Sequence, residues 1–338
     1  MNRGQGREVA GVAGALGLCA AALCLLALWA MTVGSSDISV PQVARALFAA
    51  PEGRVELVVQ GVRLPRVLAA LGVGAALAVA GAIMQAVTGN PLAEPGLLGV
   101  NAGAAFAVVL AIALLGVTAA GSLLWAAFAG AAAAAVLVQA LGSAGRSGPT
   151  PLKLVLAGVV IATFLGAVSA AVLILDARTF ETMRLWTAGS LRGRQMAEVT
   201  AVLPWLGAGL GAALLVAGQF TALSLGADTA RALGQNQPLW RLVSALLVVL
   251  LAGGAVALAG PLGFVGLVVP HIVRMSLGAD YRRILPFCAL GGAGLTLLAD
   301  TLPRAAFDRD VPVGITLALV GAPFFIWLAR TRIGGAPA

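Results

Sequence analysis

The side chains that could do chemistry are few in this chain of 338 residues, and they stand beside long apolar runs. The only histidine is His271, and the carboxylates that border apolar runs include Glu94, Asp176 and Asp300. A metal site needs several ligands close together, and an ion-coupled transporter usually needs a carboxylate near the middle of the membrane. Neither pattern is present, so we interpret His271 as an interfacial structural group and disfavour a metal site or a proton relay.

The common motifs of nucleotide-binding and hydrolytic sites are also missing. The sequence contains no G-x-x-x-x-G-K-[S/T] phosphate-binding loop, no H-E-x-x-H and no G-x-S-x-G, and its single lysine is Lys153. Cys19, Cys24 and Cys288 lie within apolar stretches and form no C-x-x-C pair. We therefore predict that the chain is not an enzyme and binds no cofactor or metal. If the chain is a transporter, it has no ATP-binding motif of its own, and it must take its energy from a partner ATPase that uses ATP-Mg.

The composition indicates the solvent in which the chain folds. Hydrophobic residues make up 60% of the chain and charged residues 10%, whereas soluble domains carry about 25% charged residues. The sequence therefore predicts an integral membrane protein surrounded by lipid. The net charge of +8 comes from basic residues that are spread singly, without the clusters interleaved with aromatic residues that bind nucleic acid. We predict no nucleic-acid partner.

Long uncharged intervals define the elements that must position these residues. A span needs about 20 apolar residues, and by this criterion residues 1–338 form one all-α transmembrane domain with ten helices. The predicted spans are roughly 9–34, 62–87, 96–115, 119–142, 152–176, 198–219, 240–259, 262–275, 284–303 and 311–330. Ten spans place both termini on one side, and the arginines near each end indicate that this side is the cytoplasm.

One apolar interval, 260–274, is interrupted by glycine and proline in a way that a plain spanning helix is not. Such a pattern is typical of a short or broken helix beside a path through the membrane. Residues 74–81 and 253–260 also match at five of eight positions. Because the predicted helices that contain them run in opposite directions, the match indicates an inverted repeat of the kind found in transporters.

The segment 221–238 lies between the sixth and seventh predicted spans and contains signals for two short cytoplasmic helices. Asp228 can cap a helix, Gly234 can end it and Pro238 can begin the next one. The predicted apolar contacts come from Leu223, Leu225, Ala230 and Leu233. An exposed apolar face on the cytoplasmic side would suit a docking element for a partner ATPase, and an ordinary interfacial helix is the alternative.

Motifs along most of the chain are similar to those of one transporter family. They are Arg63-Leu-Pro-Arg66 and the stretches 89–99, 223–226, 230–234, 263–274, 298–301, 312–315 and 321–325. In this order, from about residue 37 to 330, the chain resembles the permease subunits of the iron–siderophore, haem and vitamin B12 ABC importers, the FecCD-type or type II importers. The resemblance implies a ten-span permease that moves an iron(III)–siderophore complex across a bacterial inner membrane by alternating access.

The resemblance leaves the cargo and the transporter class open. Haem and cobalamin are alternative cargoes, and an ion-coupled secondary transporter is the alternative from a different class of transporter. The implied partners are a second permease, either a second copy or a sister chain, two cytoplasmic ATPases and an external substrate-binding protein. The residues that would couple the permease to the ATPases are Leu223, Leu225, Gly226, Ala230, Arg231, Leu233 and Gly234.

The resemblance finally assigns residues to docking and to the cargo path. Arg63, Arg66 and Arg304 would dock acidic residues of the binding protein, and the alternative is that they only anchor helix ends. The fifth predicted span would line the path at the axis of a permease dimer, and a short external helix over 180–191 would form its mouth. The candidate path and gate residues are Thr150, Pro151, Thr163 and Ser169. The family often has serine or threonine in the region of Pro151, so the gate matches only in part.

Overall fold

A chain that crosses lipid must satisfy its backbone hydrogen bonds within each segment, and a helix does so. The structure, a computed structural model, describes residues 3–144, 151–307 and 309–333, and within these ranges short connections join helices. The helices are α1 (Arg3–Thr32), α2 (Val40–Phe48), α3 (Arg54–Val58), α4 (Leu64–Thr88), α5 (Val100–Leu115), α6 (Ala120–Ser143), α7 (Pro151–Leu175), α8 (Ala177–Thr187), α9 (Met196–Leu215), α10 (Ala217–Ser224), α11 (Ala227–Ala232), α12 (Gln237–Ala259), α13 (Val265–Leu277), α14 (Tyr281–Phe307) and α15 (Val313–Ile333). The predicted all-α fold class is confirmed.

Seven stretches of helix among the described residues are long and apolar enough to cross a membrane. They are Gly11–Thr32, Arg54–Thr88, Ala120–Ser143, Leu152–Leu175, Met196–Leu215, Gln237–Ala259 and Tyr281–Phe307. Apolar helix also lies at the other three predicted positions, in α5, α13 and α15. Every predicted span therefore contains apolar helix, and α15 has 21 residues. Helices α5 and α13, with 16 and 13 residues, fall short of the length that a full span requires.

Helix α4 lies at the centre of the bundle, where it packs against α9, α12, α13 and α14. Its small residues permit this, because helices in lipid associate through close packing of their backbones. A Cβ added at Gly74 would lie 2.2 Å from the carbonyl oxygen of Gly292 in α14. A Cβ added at Gly81 would lie 1.9 Å from the carbonyl oxygen of Gly266 in α13. The backbones of α4 and its neighbours therefore meet at two levels without side chains between them.

Gly81→Ala is expected to destabilise the folded protein, because the new methyl group would overlap the backbone of α13 and not a movable side chain. Overpacking of this kind costs about 1 to 3 kcal/mol. Thermal unfolding of the purified protein in detergent measures the change as a lower midpoint. Gly166→Ala is the matched control, since Gly166 is also helical and an added Cβ there meets nothing within 4 Å. Equal midpoints for the two variants would contradict the close approach of α4 and α13.

Helices α5 and α13 are short because irregular chain enters the bundle before each of them. A 3-10 turn, Pro95–Leu98, precedes α5, and the segment 260–264 precedes α13. Phe264 has a φ of +70°, and its backbone N–H donates to Glu94 Oε1 at 3.0 Å. Irregular backbone is tolerated at membrane depth only where protein encloses it and satisfies its polar groups. Glu94, which the sequence places near a span end, therefore reaches the start of α13.

The two helices of the predicted repeat, α4 and α12, run in opposite directions. Arg66, near the start of α4, and Ala257, near the end of α12, line one cavity. Met84 and Ser244, at the opposite ends of the same helices, line another. The packing of the matched glycines is repeated in one pair only. Gly81 and Gly260 both face backbone, that of Gly266 and of Trp186, whereas Gly74 faces backbone and Gly253 faces side chains of α6.

The short connecting helices differ from the predicted ones at their ends. The helix predicted over 180–191 is α8, which begins earlier because the Asp176 carboxylate accepts the backbone N–H of Arg178 at 3.1 Å and caps it. The two helices predicted over 221–238 are α10 and α11. Helix α10 also begins earlier, because only Val216 separates it from α9.

Candidate functional site

Two glycines shape the α10–α11 segment, which comprises residues 217–236. Gly226, between the two helices, has a φ of +96° and a ψ of 162°, a conformation that is essentially restricted to glycine. Gly234, with a φ of +79°, follows the last turn of α11. Gln235 Nε2 donates to the backbone and side-chain oxygens of Gln219 at 2.9 and 3.0 Å. These bonds hold α11 and the residues after it against α10.

The apolar residues of the α10–α11 segment divide between two faces. Leu223 and Ala230 are buried within the chain, with 8% and 0% of their surface exposed, whereas Leu225 and Leu233 are 53% and 65% exposed. The expectation that all four side chains offer apolar contacts to a partner is therefore corrected for Leu223 and Ala230, which pack the segment onto the bundle. Leu225 and Leu233 remain as an exposed apolar pair.

The other residues predicted for coupling lie on the same segment. Arg231 and Asp228 form an exposed ion pair with 3.3 Å between nitrogen and oxygen, and such pairs contribute little to stability. Leu239 and Leu242, at the start of α12, are 50% and 53% exposed. Sequence reasoning missed them because it treated this stretch as the beginning of a span. The coupling role of the segment stays a prediction.

Arg66 and Arg304 share one buried carboxylate at the other end of the bundle. Asp300, which is 1% exposed, accepts hydrogen bonds from Arg66 Nε and Nη2 at 2.9 to 3.1 Å and from Arg304 Nη2 at 2.9 Å. Arg66 Nη1 also donates to Asp310 Oδ1 at 2.8 Å, and Arg304 Nη1 donates to the carbonyl oxygen of Val33 at 3.1 Å. These bonds supply the partners that buried charges require, and they join α4, α14 and the connection to α15.

Arg63 binds the end of α1. Its guanidinium donates to the carbonyl oxygens of Met31 and Thr32 at 2.7 and 2.9 Å, and also to that of Ser36. A cation at a helix C-terminus satisfies the last carbonyl groups and complements the helix dipole. Arg63 and Arg66 are only 5% and 8% exposed, so both serve the chain's own structure. Their docking of an acidic partner, together with that of Arg304, stays a prediction.

Two cavities lie at this end of the bundle, on either side of Arg66 and Asp310, with volumes of about 280 and 330 Å³. The smaller cavity is lined by basic side chains of Arg54, Arg63, Arg66, Arg304 and Arg309. The larger one contains Arg66, Arg192, Arg194 and Trp186. Arg192 lies 3.6 Å from Asp310 and Arg194 lies 3.4 Å from Glu198, so these arginines have carboxylate partners. Each cavity brings together arginines from segments that are far apart in the chain, which the sequence alone could not show.

Helix α7 packs little of its surface against the rest of the described chain. Leu156, Val160 and Phe164 are 56%, 62% and 62% exposed. An apolar helix with this much uncovered surface must face lipid or another protein.

The polar residues predicted for the path lie on different sides of α7. Thr163 is exposed, whereas Ser169 is 8% exposed and its hydroxyl donates to the carbonyl oxygen of Leu165 in the same helix at 2.8 Å. A single face of α7 therefore does not present both side chains. Pro151 is the first residue of α7, and Thr150 lies outside the described residues.

Comparison with known proteins identifies the family. The sequence profile of the FecCD transport family matches residues 22–331. The chain belongs to this family. The Fe(3+)-citrate import system permease protein YfmD of Bacillus subtilis (strain 168) is 44% identical to this FecCD permease over 301 residues, which is 89% of each chain. The vitamin B12 import system permease protein BtuC of Yersinia enterocolitica is 43% identical over 82% of each chain.

A solved structure has the same architecture as this FecCD permease. It is described as an inward-facing conformation of a metal-chelate type ABC transporter, and it shows a TM-score of 0.83 and 28% identity. The match covers 94% of this chain and 99% of that chain. The FecCD permease is therefore the multi-pass membrane subunit of an ABC importer. Its relatives for ferric citrate and vitamin B12 are almost equally identical to it, so overall identity does not determine the cargo.

The side chains that could hold a metal are scattered in the part of the FecCD permease that the structure describes. No group of three or more His, Cys, Asp or Glu side chains there is arranged to hold an ion. His271 is 3% exposed, and its ring lies edge-on to that of Phe324 with 6.4 Å between the ring centroids. His271 is therefore a buried packing residue, which corrects its interpretation as an interfacial group. The absence of a bound cofactor stays a prediction.

Proposed function

We propose that this FecCD permease imports an iron(III)–siderophore complex across the cytoplasmic membrane of a bacterium. The observation that carries the proposal is the predominance of ferric-chelate permeases among its relatives: those for ferric citrate, ferric hydroxamate and ferric enterobactin are 44%, 43% and 40% identical to it over most of the chain. The arginine-lined cavities support an anionic chelate as cargo, because guanidinium groups bind carboxylates through charge-assisted hydrogen bonds. Ferric citrate, which carries carboxylate groups, is a chelate of this kind.

The proposed energy source is ATP-Mg that partner subunits hydrolyse. Two cytoplasmic ATPases would contact the exposed face of the α10–α11 segment, including Leu225 and Leu233, which are its exposed large apolar side chains. This arrangement requires both chain termini to be cytoplasmic, on the same side as α10 and α11. The arginine end of the bundle then faces outwards.

The proposed external partner is a substrate-binding protein with acidic docking residues. It would approach the cavity lined by Arg54, Arg63, Arg66, Arg304 and Arg309. A second permease, either a second copy or a sister chain, would cover the uncovered face of α7 and create the cargo path between the subunits. In alternating access, closure of the ATPases would move the two α7 helices so that the path opens to one side at a time.

Uptake into proteoliposomes tests this function directly. The permease is reconstituted with its partner permease, ATPase and binding protein, and radiolabelled iron is offered as ferric citrate, a ferric hydroxamate and a ferric catecholate. We expect uptake of at least one ferric chelate that requires ATP on the ATPase side and stops with vanadate. Uptake of haem or cobalamin, with no uptake of the three ferric chelates, would overturn the cargo assignment.

The same vesicles distinguish the rival class of transporter. A proton or sodium gradient without ATP is expected to drive no uptake. Uptake that follows the ion gradient and ignores vanadate would identify an ion-coupled secondary transporter. Co-purification of the permease with the ATPase from membranes is the independent control on the assembly.

A further inference from the structure

Helix α10 contributes a side chain to the N-terminus of α14. The backbone N–H of Tyr281 donates to Thr221 Oγ1 at 3.0 Å, and Thr221 Oγ1 donates to Asp280 Oδ1 at 3.2 Å. The same Asp280 oxygen accepts the backbone N–H of Arg282 at 3.1 Å, as the side chain of a helix N-cap does. The cap of α14 is therefore built from its own aspartate together with a threonine from a different helix.

Two further contacts surround this shared cap. Phe220 and Tyr281 are 0% and 1% exposed, and their rings meet edge-on with centroids 6.4 Å apart. A Cβ added at Gly218 would lie 3.0 Å from Arg282 Nη2, so the guanidinium rests directly on the start of α10. We call these contacts the α10–α14 joint: Gly218, Phe220 and Thr221 on one side, and Asp280, Tyr281 and Arg282 on the other.

The α10–α14 joint lies between the α10–α11 segment and helix α14, which runs to the other end of the bundle. The α10–α11 segment carries the exposed Leu225 and Leu233. On the other side, α14 is one helix of 27 residues, which corresponds to a length of about 40 Å. Asp300 and Arg304 lie near the far end of α14, where Asp300 accepts hydrogen bonds from both Arg66 and Arg304. One continuous helix therefore joins the α10–α11 segment to the bonded group of Arg66, Arg304, Asp300 and Asp310, which we call the arginine network.

We infer that Thr221 is a positioning residue that passes ATP-driven movement of the α10–α11 segment to α14. This inference rests on the proposed function, because it needs an ATPase that moves the segment. The Thr221 hydroxyl is suited to the task since it accepts from the backbone of α14 and donates to its cap. The two bonds fix both the position and the direction of α10 relative to α14. Movement of α14 then reaches the arginine network on the outer face.

The test removes the hydroxyl and keeps the shape of the side chain. Thr221→Val is reconstituted with the partner subunits, and cargo transport and ATP hydrolysis are measured in the same vesicles. We expect assembly and basal ATP hydrolysis to be kept, while the cargo moved per ATP falls about tenfold, which corresponds to about 1.4 kcal/mol and is the scale of one hydrogen bond to a charged group. Thr221→Ser keeps the hydroxyl and should restore the ratio.

Thr200→Val is the matched control for the change of side chain. Thr200 is exposed on α9, and its hydroxyl bonds only within its own helix, to the carbonyl oxygens of Met196 and Ala197. The ratio of transport to hydrolysis should equal that of the unmodified permease. A normal ratio in Thr221→Val would overturn the inference and leave the proposed function standing. Absence of ATP-driven uptake by the unmodified assembly would instead overturn the proposed function.

A second variant keeps the inference testable if Thr221→Val does not fold. Gly218→Ala displaces only the end of the flexible Arg282 side chain, so the fold should survive while the joint is disturbed. A fluorophore on Phe307→Cys then reports movement at the far end of α14, in a chain with Cys19→Ser and Cys24→Ser. We expect ATP to change the signal in the unmodified joint and to change it much less in Gly218→Ala. An equal change in both would contradict the role of the joint.

Discussion

Leu225→Glu combined with Leu233→Glu is expected to abolish ATP-driven uptake and to leave the permease inserted in the membrane. Both side chains are more than half exposed on the α10–α11 segment, so charge there costs the isolated chain little. In the assembly each leucine would be buried against the ATPase, and burial of a leucine is worth about 1.5 to 3 kcal/mol. Loss of two such contacts weakens binding of the ATPase by 100-fold or more, on the order of 3 kcal/mol.

Pull-down of the ATPase by the tagged permease measures this loss, and proteoliposome uptake measures its consequence. The matched control is Leu92→Glu, because Leu92 is also an exposed leucine in a connection on the same proposed side of the membrane. It should bind the ATPase and transport normally. Normal uptake by the double variant would show that the segment is an ordinary interfacial helix pair.

The contrast between buried and exposed leucines shows how far the sequence could predict this segment. Gly234 follows the end of α11 as predicted, because such a signal acts locally. The prediction that Asp228 caps a helix is wrong, since the cap residue is Gly226 and Asp228 lies inside the first turn of α11. Pro238 begins the long helix α12 and not a second short helix. The sequence could not indicate that Leu223 faces inwards and Leu225 outwards. Helix α11 has only six residues, which are too few to show a helical period of apolar residues. The turn at Gly226 also changes the direction of the chain between α10 and α11, and the sequence does not give this direction.

The bundle itself was more predictable than the site. Long uncharged intervals determine where helices can lie in lipid, and all ten predicted positions hold apolar helix. The sequence could not show that Glu94 reaches Phe264, because this bond joins residues 170 positions apart. Such a contact depends on how deeply two irregular segments enter the bundle. A hydropathy pattern registers a short helix but not its depth.

The arginine network also depends on contacts between residues that are far apart in the sequence. The family resemblance predicts that Arg63, Arg66 and Arg304 dock acidic residues of a binding protein. The structure shows that Arg66 is bound by Asp300, which lies 234 positions away, and that Arg192 and Arg194 lie beside Asp310 and Glu198. Much of the apparent surplus of positive charge is therefore neutralised within the chain. Counting arginines without their carboxylate partners overstates the charge that a partner would meet.

Asp300→Asn is expected to destabilise the folded permease strongly. Asp300 is 1% exposed and holds the guanidinium groups of Arg66 and Arg304. Loss of one member of a buried ion pair costs about 3 to 5 kcal/mol, because the remaining charges lose their compensation. Thermal unfolding in detergent should show a much lower midpoint, and the amount of folded protein in membranes should fall.

A matched comparison separates this structural role from docking. Asp310→Asn removes the other carboxylate on Arg66, but the Asp310 side chain is 31% exposed, so water compensates and the loss of stability should be smaller. Combining Asp300→Asn with Arg304→Met should cost less than the sum of the single changes, since the double variant removes both partners of one pair. If the arginines served only to dock a binding protein, Asp300→Asn would leave the unfolding midpoint unchanged and would alter only the affinity for that partner. The midpoint could also fall in Asp300→Asn while the costs of Asp300→Asn and Arg304→Met simply add in the double variant. That result would show that the charge left without compensation is not that of Arg304.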